Sequence, residues 1–136
     1  MRIMAVDYGD ARTGIAVSDE TGVLAGEAFI IKEWSPERAA EIIADAAQKR
    51  RVGRIVLGYP KNMDGTLGPR AEKSEALAAL LRNQYKLDVV LWDERRTTAD
   101  AHRILSEAGV SGKKRRGTVD AVAAALILEG YLNSIR

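Results

Sequence analysis

A chain of 136 residues, 46% hydrophobic and 29% charged, fits one soluble domain burying roughly two-thirds of its unfolded surface, too short for two lobes and too apolar for disorder. It has no cysteine and a single histidine, His102, which excludes a disulfide scaffold, a thiolate zinc site, a cysteine nucleophile and a His-rich metal centre. The formal net charge of +2 neither demands nor excludes a polyanionic partner, so where the basic residues lie matters more than their sum.

Met1 to Asp7 reads as a short, mostly apolar strand ending on a carboxylate, and without a basic region followed by a long apolar stretch no signal peptide is expected. Thr13 to Ser18 and Val23 to Lys32 read as two more strands around the turn Asp19-Glu20-Thr21-Gly22, and the short spacings predict three antiparallel strands joined by hairpins. Ser35 can cap a helix with Pro36 at its first position, after which Ala39, Ile42, Ile43 and Ala46 recur at helical spacing. Arg54 to Leu57 is a compact apolar strand that empties into a breaker-rich loop from Gly58 to Gly68. Arg70 to Tyr85 is expected as a helix with Ala76, Leu77, Leu80 and Leu81 on one face. Asp88 to Trp92 is a further strand, Thr98 to Ala108 a helix ended by Gly109, Gly112 to Gly117 a basic loop, and Thr118 to Leu132 the last helix. The longest strongly apolar segment, Val119 to Leu128, is interrupted by Asp120 and too short to span a bilayer, so a cytoplasmic protein without a membrane partner is expected. This order predicts a single α/β domain over residues 1–136. Its mixed five-stranded sheet has three antiparallel strands, then parallel strands with right-handed crossovers, and helices on both faces.

Three acids fall at the ends of core elements: Asp7 ends the first strand, Glu94 follows the fifth, and Asp120 lies in the first turn of the last helix. Ligands of open α/β sheets bind beyond the carboxyl ends of the strands. With strands one and five near the sheet centre, Asp7 and Glu94 emerge at one edge and the last helix brings Asp120 to them. Clustered carboxylates without histidine repel one another unless hard, oxygen-seeking cations such as Mg²⁺ or Mn²⁺ lie between them. Each acid also has an ordinary reading: Asp7 as a turn acid, Glu94 as a solvated loop charge, Asp120 as a complement to the helix dipole.

Basic residues accompany the acids. Arg12 follows Asp7, Arg95 and Arg96 adjoin Glu94, and Lys113-Lys114-Arg115-Arg116 precedes Asp120. A basic run is most often a solvated loop, but beside an anionic site it suits phosphate groups. Lys61 and Asn62 are the natural phosphate and base contacts of the long polar loop. Lys49-Arg50-Arg51 sits at a helix end, where complementing the dipole is its expected role.

Asp7-Tyr8-Gly9-Asp10-Ala11-Arg12-Thr13-Gly14 with Ile15 to Asp19 resembles the opening motif of the YqgF family, bacterial proteins described as Holliday junction resolvases or as nucleases for the 5′ end of the small-subunit ribosomal RNA precursor. Gly58-Tyr59-Pro60-Lys61-Asn62-Met63-Asp64-Gly65-Thr66 is similar to the second motif and Asp93-Glu94-Arg95-Arg96-Thr97-Thr98 to the third. Lys113 to Arg116, Val119-Asp120 and Ala123-Ala124 to Tyr131-Leu132 are similar to the fourth. Tyr59 stands where leucine or phenylalanine is more usual, and Arg96 where an apolar residue is. The resemblance implies an RNase H-like fold. It also implies Asp7, Glu94 and Asp120 as catalytic metal ligands with Asp7 bridging, and a structured nucleic acid, precursor rRNA or branched DNA, as substrate.

The expected chemistry is phosphodiester hydrolysis with two ions roughly 4 Å apart. Arg12, Lys61, Asn62, Arg95, Lys113, Lys114, Arg115 and Arg116 are expected to hold the substrate, and a symmetric junction favours a homodimer. One alternative is an actin-like or sugar-kinase-like ATPase, because Asp7, Gly9 and Gly14 also suit a phosphate-binding hairpin. The other is a binding module that keeps this fold to dock RNA or a ribosomal or transcription partner.

Overall fold

The computed structural model describes residues 1–22, 25–60, 64–93 and 112–135, with residue 25 and residues 112–120 described by their backbone alone. Strands β1 (Arg2–Tyr8), β2 (Arg12–Ser18) and β3 (Ala25–Lys32) pair antiparallel in succession, as the short spacings predict. A Cβ at Gly9 would collide with the carbonyl oxygen of Arg12, so the first hairpin can close this tightly only around glycine.

Helix α1 (Pro36–Lys49) starts where predicted: the Ser35 hydroxyl accepts from the Arg38 N–H at 3.3 Å, and proline occupies the first turn. β4 (Val52–Tyr59), α2 (Pro69–Asn83), β5 (Val89–Asp93) and α3 (Gly112–Ser134) follow. The sheet order is β3-β2-β1-β4-β5, with β1, β4 and β5 parallel. β1 is therefore central, as expected, but β5 is an edge strand. Its end lies two strand spacings, about 9–10 Å, from the end of β1.

Strand alternation sorts the sheet into two faces. Met4, Val6, Ile15, Val17, Ile31, Ile55, Leu57 and Val89 pack under α1 and α2. Ile3, Ala5, Ala16 and Val56 pack under α3, which supplies Ala124, Ile127, Leu128, Tyr131 and Leu132. Small side chains on β1 and β2 let α3 approach closely; enlarging Ala5 or Ala16 would overpack this layer at a cost of about 1–3 kcal/mol. At the far end of the helix, Trp92 stands edge-on to Tyr131 with ring centroids 6.0 Å apart. A Cβ at Gly130 would come within 3.2 Å of that indole. The Tyr131 hydroxyl accepts from Arg54 at 2.7 Å, and Arg54 also bonds Asp88 at 2.8 Å, tying α3 to the starts of β4 and β5.

Several expectations are corrected. On α2 the buried stripe is Ala71, Ser74, Leu77, Ala78 and Leu81, while Ala76 is exposed and Leu80 half-buried. The small residues 71, 74 and 78 set the helix against the sheet and rotate the face from the one the leucines alone suggest. The segment 112–117 is helical rather than a loop, because α3 already begins at Gly112. Lysine and arginine are good helix formers, and one interior glycine, Gly117, costs only about 1 kcal/mol. Asp120 is consequently the ninth residue of α3 rather than part of its first turn. Arg50 does more than complement a dipole: it pairs with Glu27 at 3.0 Å and lies 4.7 Å over the Phe29 ring, joining α1 to β3. The helix expected over Thr98 to Ala108 lies outside the described residues.

Candidate functional site

Because β1, β4 and β5 are parallel and β3 runs the same way, the ends of all four strands and the start of β2 share one sheet edge. Asp7 lies at this edge. Its neighbours in the alternation, Ile3 and Ala5, face α3, so Asp7 lies on the α3 face. Opposite it on β2 is Gly14, which brings no side chain into the space beside the carboxylate. Asp7 is half-buried, and among the described residues nothing donates a hydrogen bond or ion pair to it.

Arg12 occupies the same face, diagonal to Asp7 across the β1–β2 ladder at about 7–8 Å, and its cross-strand partner on β3 is Lys32. Neither forms an ion pair among the described residues. Lys32 does not stand out in the sequence, where it closes an ordinary strand; only the register that sets it opposite Arg12 gives it significance.

Asp93 occupies the same edge but the other face. It is paired with Tyr59 and follows Leu91 in the alternation, and with Tyr59, Gly65, Leu67 and Leu91 it lines an open groove of about 520 Å³. Tyr59, in the position where the resemblance implies leucine or phenylalanine, is buried and donates its hydroxyl to Glu75 of α2. That bond pushes the phenol up to about 12. The loop residue Asp64 accepts from the Thr66 N–H at 3.0 Å and hydroxyl at 2.6 Å, which holds its carboxyl below the ordinary range. Asp10, at the tip of the first hairpin, pairs with Lys73 of α2 at 2.6 Å, and this hydrogen bond likewise lowers its carboxyl. Lys73 thus neutralises the hairpin acid that lies away from Asp7.

Of the expected ligands, Asp7 is described in full and Asp120 by its backbone, on the helix that covers the face of Asp7. Glu94 lies outside the described residues, as do Lys61, Asn62, Arg95 and Arg96. Lys113, Lys114, Arg115 and Arg116 are described by backbone only, in the first turns of α3. No three metal-ligating side chains cluster among the described residues. Asp7 itself suits a hard cation: a half-buried carboxylate without a donor, beside an empty glycine position, has oxygen lone pairs to offer. The dipole reading of Asp120 loses its basis, since that effect fades within the first turn of a helix and Asp120 lies two turns inside. No helix among the described residues is long and apolar enough to cross a membrane.

A mixed sheet of this order, with helices on both faces and an acid at the end of its central strand, defines an RNase H-like fold of the resolvase type. Solved structures that share it include Thermus thermophilus RuvC in complex with a Holliday junction (TM-score 0.60, 14% identity, 98% of this chain and 97% of that one), and the fowlpox virus resolvase with Holliday junction DNA (TM-score 0.64, 12% identity, 99% of each). The chain matches the RuvX family, described as Holliday junction resolvase, over residues 1–134, and it belongs to that family of hydrolytic nucleases. Its relatives include proteins provisionally named pre-16S rRNA nuclease. The one from Halothermothrix orenii is 50% identical, over 98% of this chain and 95% of its own. The one from Geobacillus thermodenitrificans is 49% identical over the whole of both.

Proposed function

We propose that this nuclease hydrolyses phosphodiester bonds in structured nucleic acid, using Mg²⁺ or Mn²⁺, as two ions, held by Asp7, Glu94 and Asp120. The observation that carries the reading is Asp7 itself, half-buried and without a donor among the described residues, on the α3 face at the strand-end edge, with Arg12 diagonal to it and Lys32 beyond Arg12 on β3. Glu94 follows β5 directly in the chain, and Asp120 belongs to the helix over the same face. When bound, the cations supply the acidification of water and the charge neutralisation that the displacement needs. The carboxylates fix the cations and do not shuttle protons. Arg12 and Lys32 hold substrate phosphates against the edge. Lys113 to Arg116 extend that contact from the same helix as Asp120, and Lys61, Asn62 and Arg95 add contacts from the loops.

Precursor rRNA is the first substrate to test, because relatives about half identical over their full length carry that name. A four-way DNA junction is the second, since the family description names it; a symmetric junction calls for a homodimer. The experiment incubates one preparation with a 5′-extended precursor rRNA fragment and with a four-way junction, in Mg²⁺, Mn²⁺ or chelator. Metal-dependent cleavage of either is expected. Tight binding without cleavage of both would leave a docking module in place of an enzyme.

A further inference from the structure

Trp34 is 76% exposed, whereas Trp92 packs on α3. Single exposed apolar residues are ordinary on a protein surface, so exposure alone assigns nothing. Position and fixation do. Trp34 follows β3 by two residues, at the same edge as Asp7, and the Glu33 N–H beside it donates to the Ala11 carbonyl at 3.0 Å. Ala11 precedes Arg12, and Lys32 lies two residues before Trp34. The backbone of Trp34 is pinned as well. The Glu33 carboxylate accepts from the Trp34 N–H at 3.1 Å and from the Ser35 N–H at 3.2 Å, while Ser35 caps α1. The Glu33 carboxylate is thus turned onto the backbone, Glu37 accepts from the Ser35 hydroxyl, and Trp34 stands on a fixed turn at the edge that also carries Lys32 and Arg12.

An exposed indole at the same sheet edge as cations that form no ion pair among the described residues is a combination that suits nucleic acid, bound through a base face and its neighbouring phosphates. A base inside a duplex has both faces covered by its neighbours, so such a platform is open to an unpaired nucleotide and closed to the interior of a duplex. We infer that Trp34, with Lys32 and Arg12, forms a stacking subsite for an unpaired nucleotide in the single-stranded flank next to the paired part of the substrate. This rests on the nucleic-acid reading above and adds to it a preference for a duplex that carries a tail.

The test measures binding in Mg²⁺ with the Asp7→Asn chain, so that the probe stays intact. The probes are a blunt RNA duplex and the same duplex with a single-stranded 5′ tail. The tailed duplex is expected to bind about 5- to 150-fold more tightly, the range that stacking of one base supplies, and to quench tryptophan emission. Trp34→Ala should bring the ratio of tailed to blunt affinity toward one and abolish the quenching, while Trp34→Phe should keep part of the preference without the signal. Equal affinity for the two probes, or a tail preference that survives Trp34→Ala, overturns the subsite and leaves the nuclease reading standing. Failure to bind either duplex, or a four-way junction, overturns the nucleic-acid reading and the subsite with it.

Discussion

Asp7 and Asp93 leave the same edge of the sheet on opposite faces. Asp7 shares the side of Ile3 and Ala5 under α3, and Asp93 shares the side of Leu91 under α1 and α2. The motif Asp93-Glu94 offers two adjacent acids to a metal, and a strand end can direct only one of them to a given face. Asp93, beside Tyr59 and the groove residues Gly65 and Leu67, is on the wrong side to join Asp7.

Asp93→Asn is therefore expected to leave cleavage within a few-fold of the parent and the half-saturating Mg²⁺ concentration unchanged. A metal titration of the cleavage rate checks this. A rise of ten-fold or more in that concentration would place Asp93 among the ligands.

Arg50 and Glu27 tie α1 to β3, and Arg50 covers Phe29 with its planar face. Lysine has the charge but neither the fork nor the face, so Arg50→Lys should cost about 1 kcal/mol in chemical denaturation. The pair is partly exposed and screened, which keeps the figure small. The hydrogen bond from Arg50 depresses the Glu27 carboxyl. The folded state then holds its proton more weakly than the unfolded chain does, and the contribution is present above the ordinary glutamate range. It is lost as pH falls through the lowered folded value. Glu27→Gln should flatten the acid limb of the stability profile in that window and leave the neutral-to-alkaline limb parallel to the parent's.

The order of elements is legible in the sequence because each hairpin, cap and apolar run is local: Ser35-Pro36 announces α1, and the spacing from Asp7 to Lys32 leaves room only for hairpins. Strand order is not legible, since β5 at the sheet edge follows from long-range pairing with β4 alone. The start of α3 is easily misread because Lys113 to Arg116 between two glycines looks like a loop, although those side chains favour helix. The edge itself is half legible. Asp7 and Arg12 stand in a motif, but Lys32 and Trp34 gain meaning only from the β2–β3 register and the turn that follows it.

Neutralising Lys113, Lys114, Arg115 and Arg116 to glutamine should weaken nucleic-acid binding. The salt slope should fall by roughly 0.9 for each phosphate that the protein no longer neutralises on duplex DNA, and by less on single strands. Glutamine keeps the helix propensity of the segment, so the circular dichroism of the variant should match the parent's. A salt titration with unchanged affinity and slope would reduce the run to a solvated helix end.

Asp7→Asn keeps the size of the side chain and removes the charge. The carboxylate is half-buried on β1 and receives no hydrogen bond among the described residues, so the substitution breaks no bond there and the fold should persist with a melting temperature close to the parent's. Binding should persist too, and should tighten in chelator, because one anionic group near the phosphates is gone while Arg12 and Lys32 remain. Mg²⁺- or Mn²⁺-dependent cleavage should fall by orders of magnitude with little change in substrate affinity, the signature of an interaction made in the transition state. Single-turnover rates beside binding constants, for parent and variant under the same salt, separate the two effects. Cleavage that persists in the variant, or in the parent after metal is stripped, would mean that the activity does not arise at Asp7, and the docking reading would replace the catalytic one.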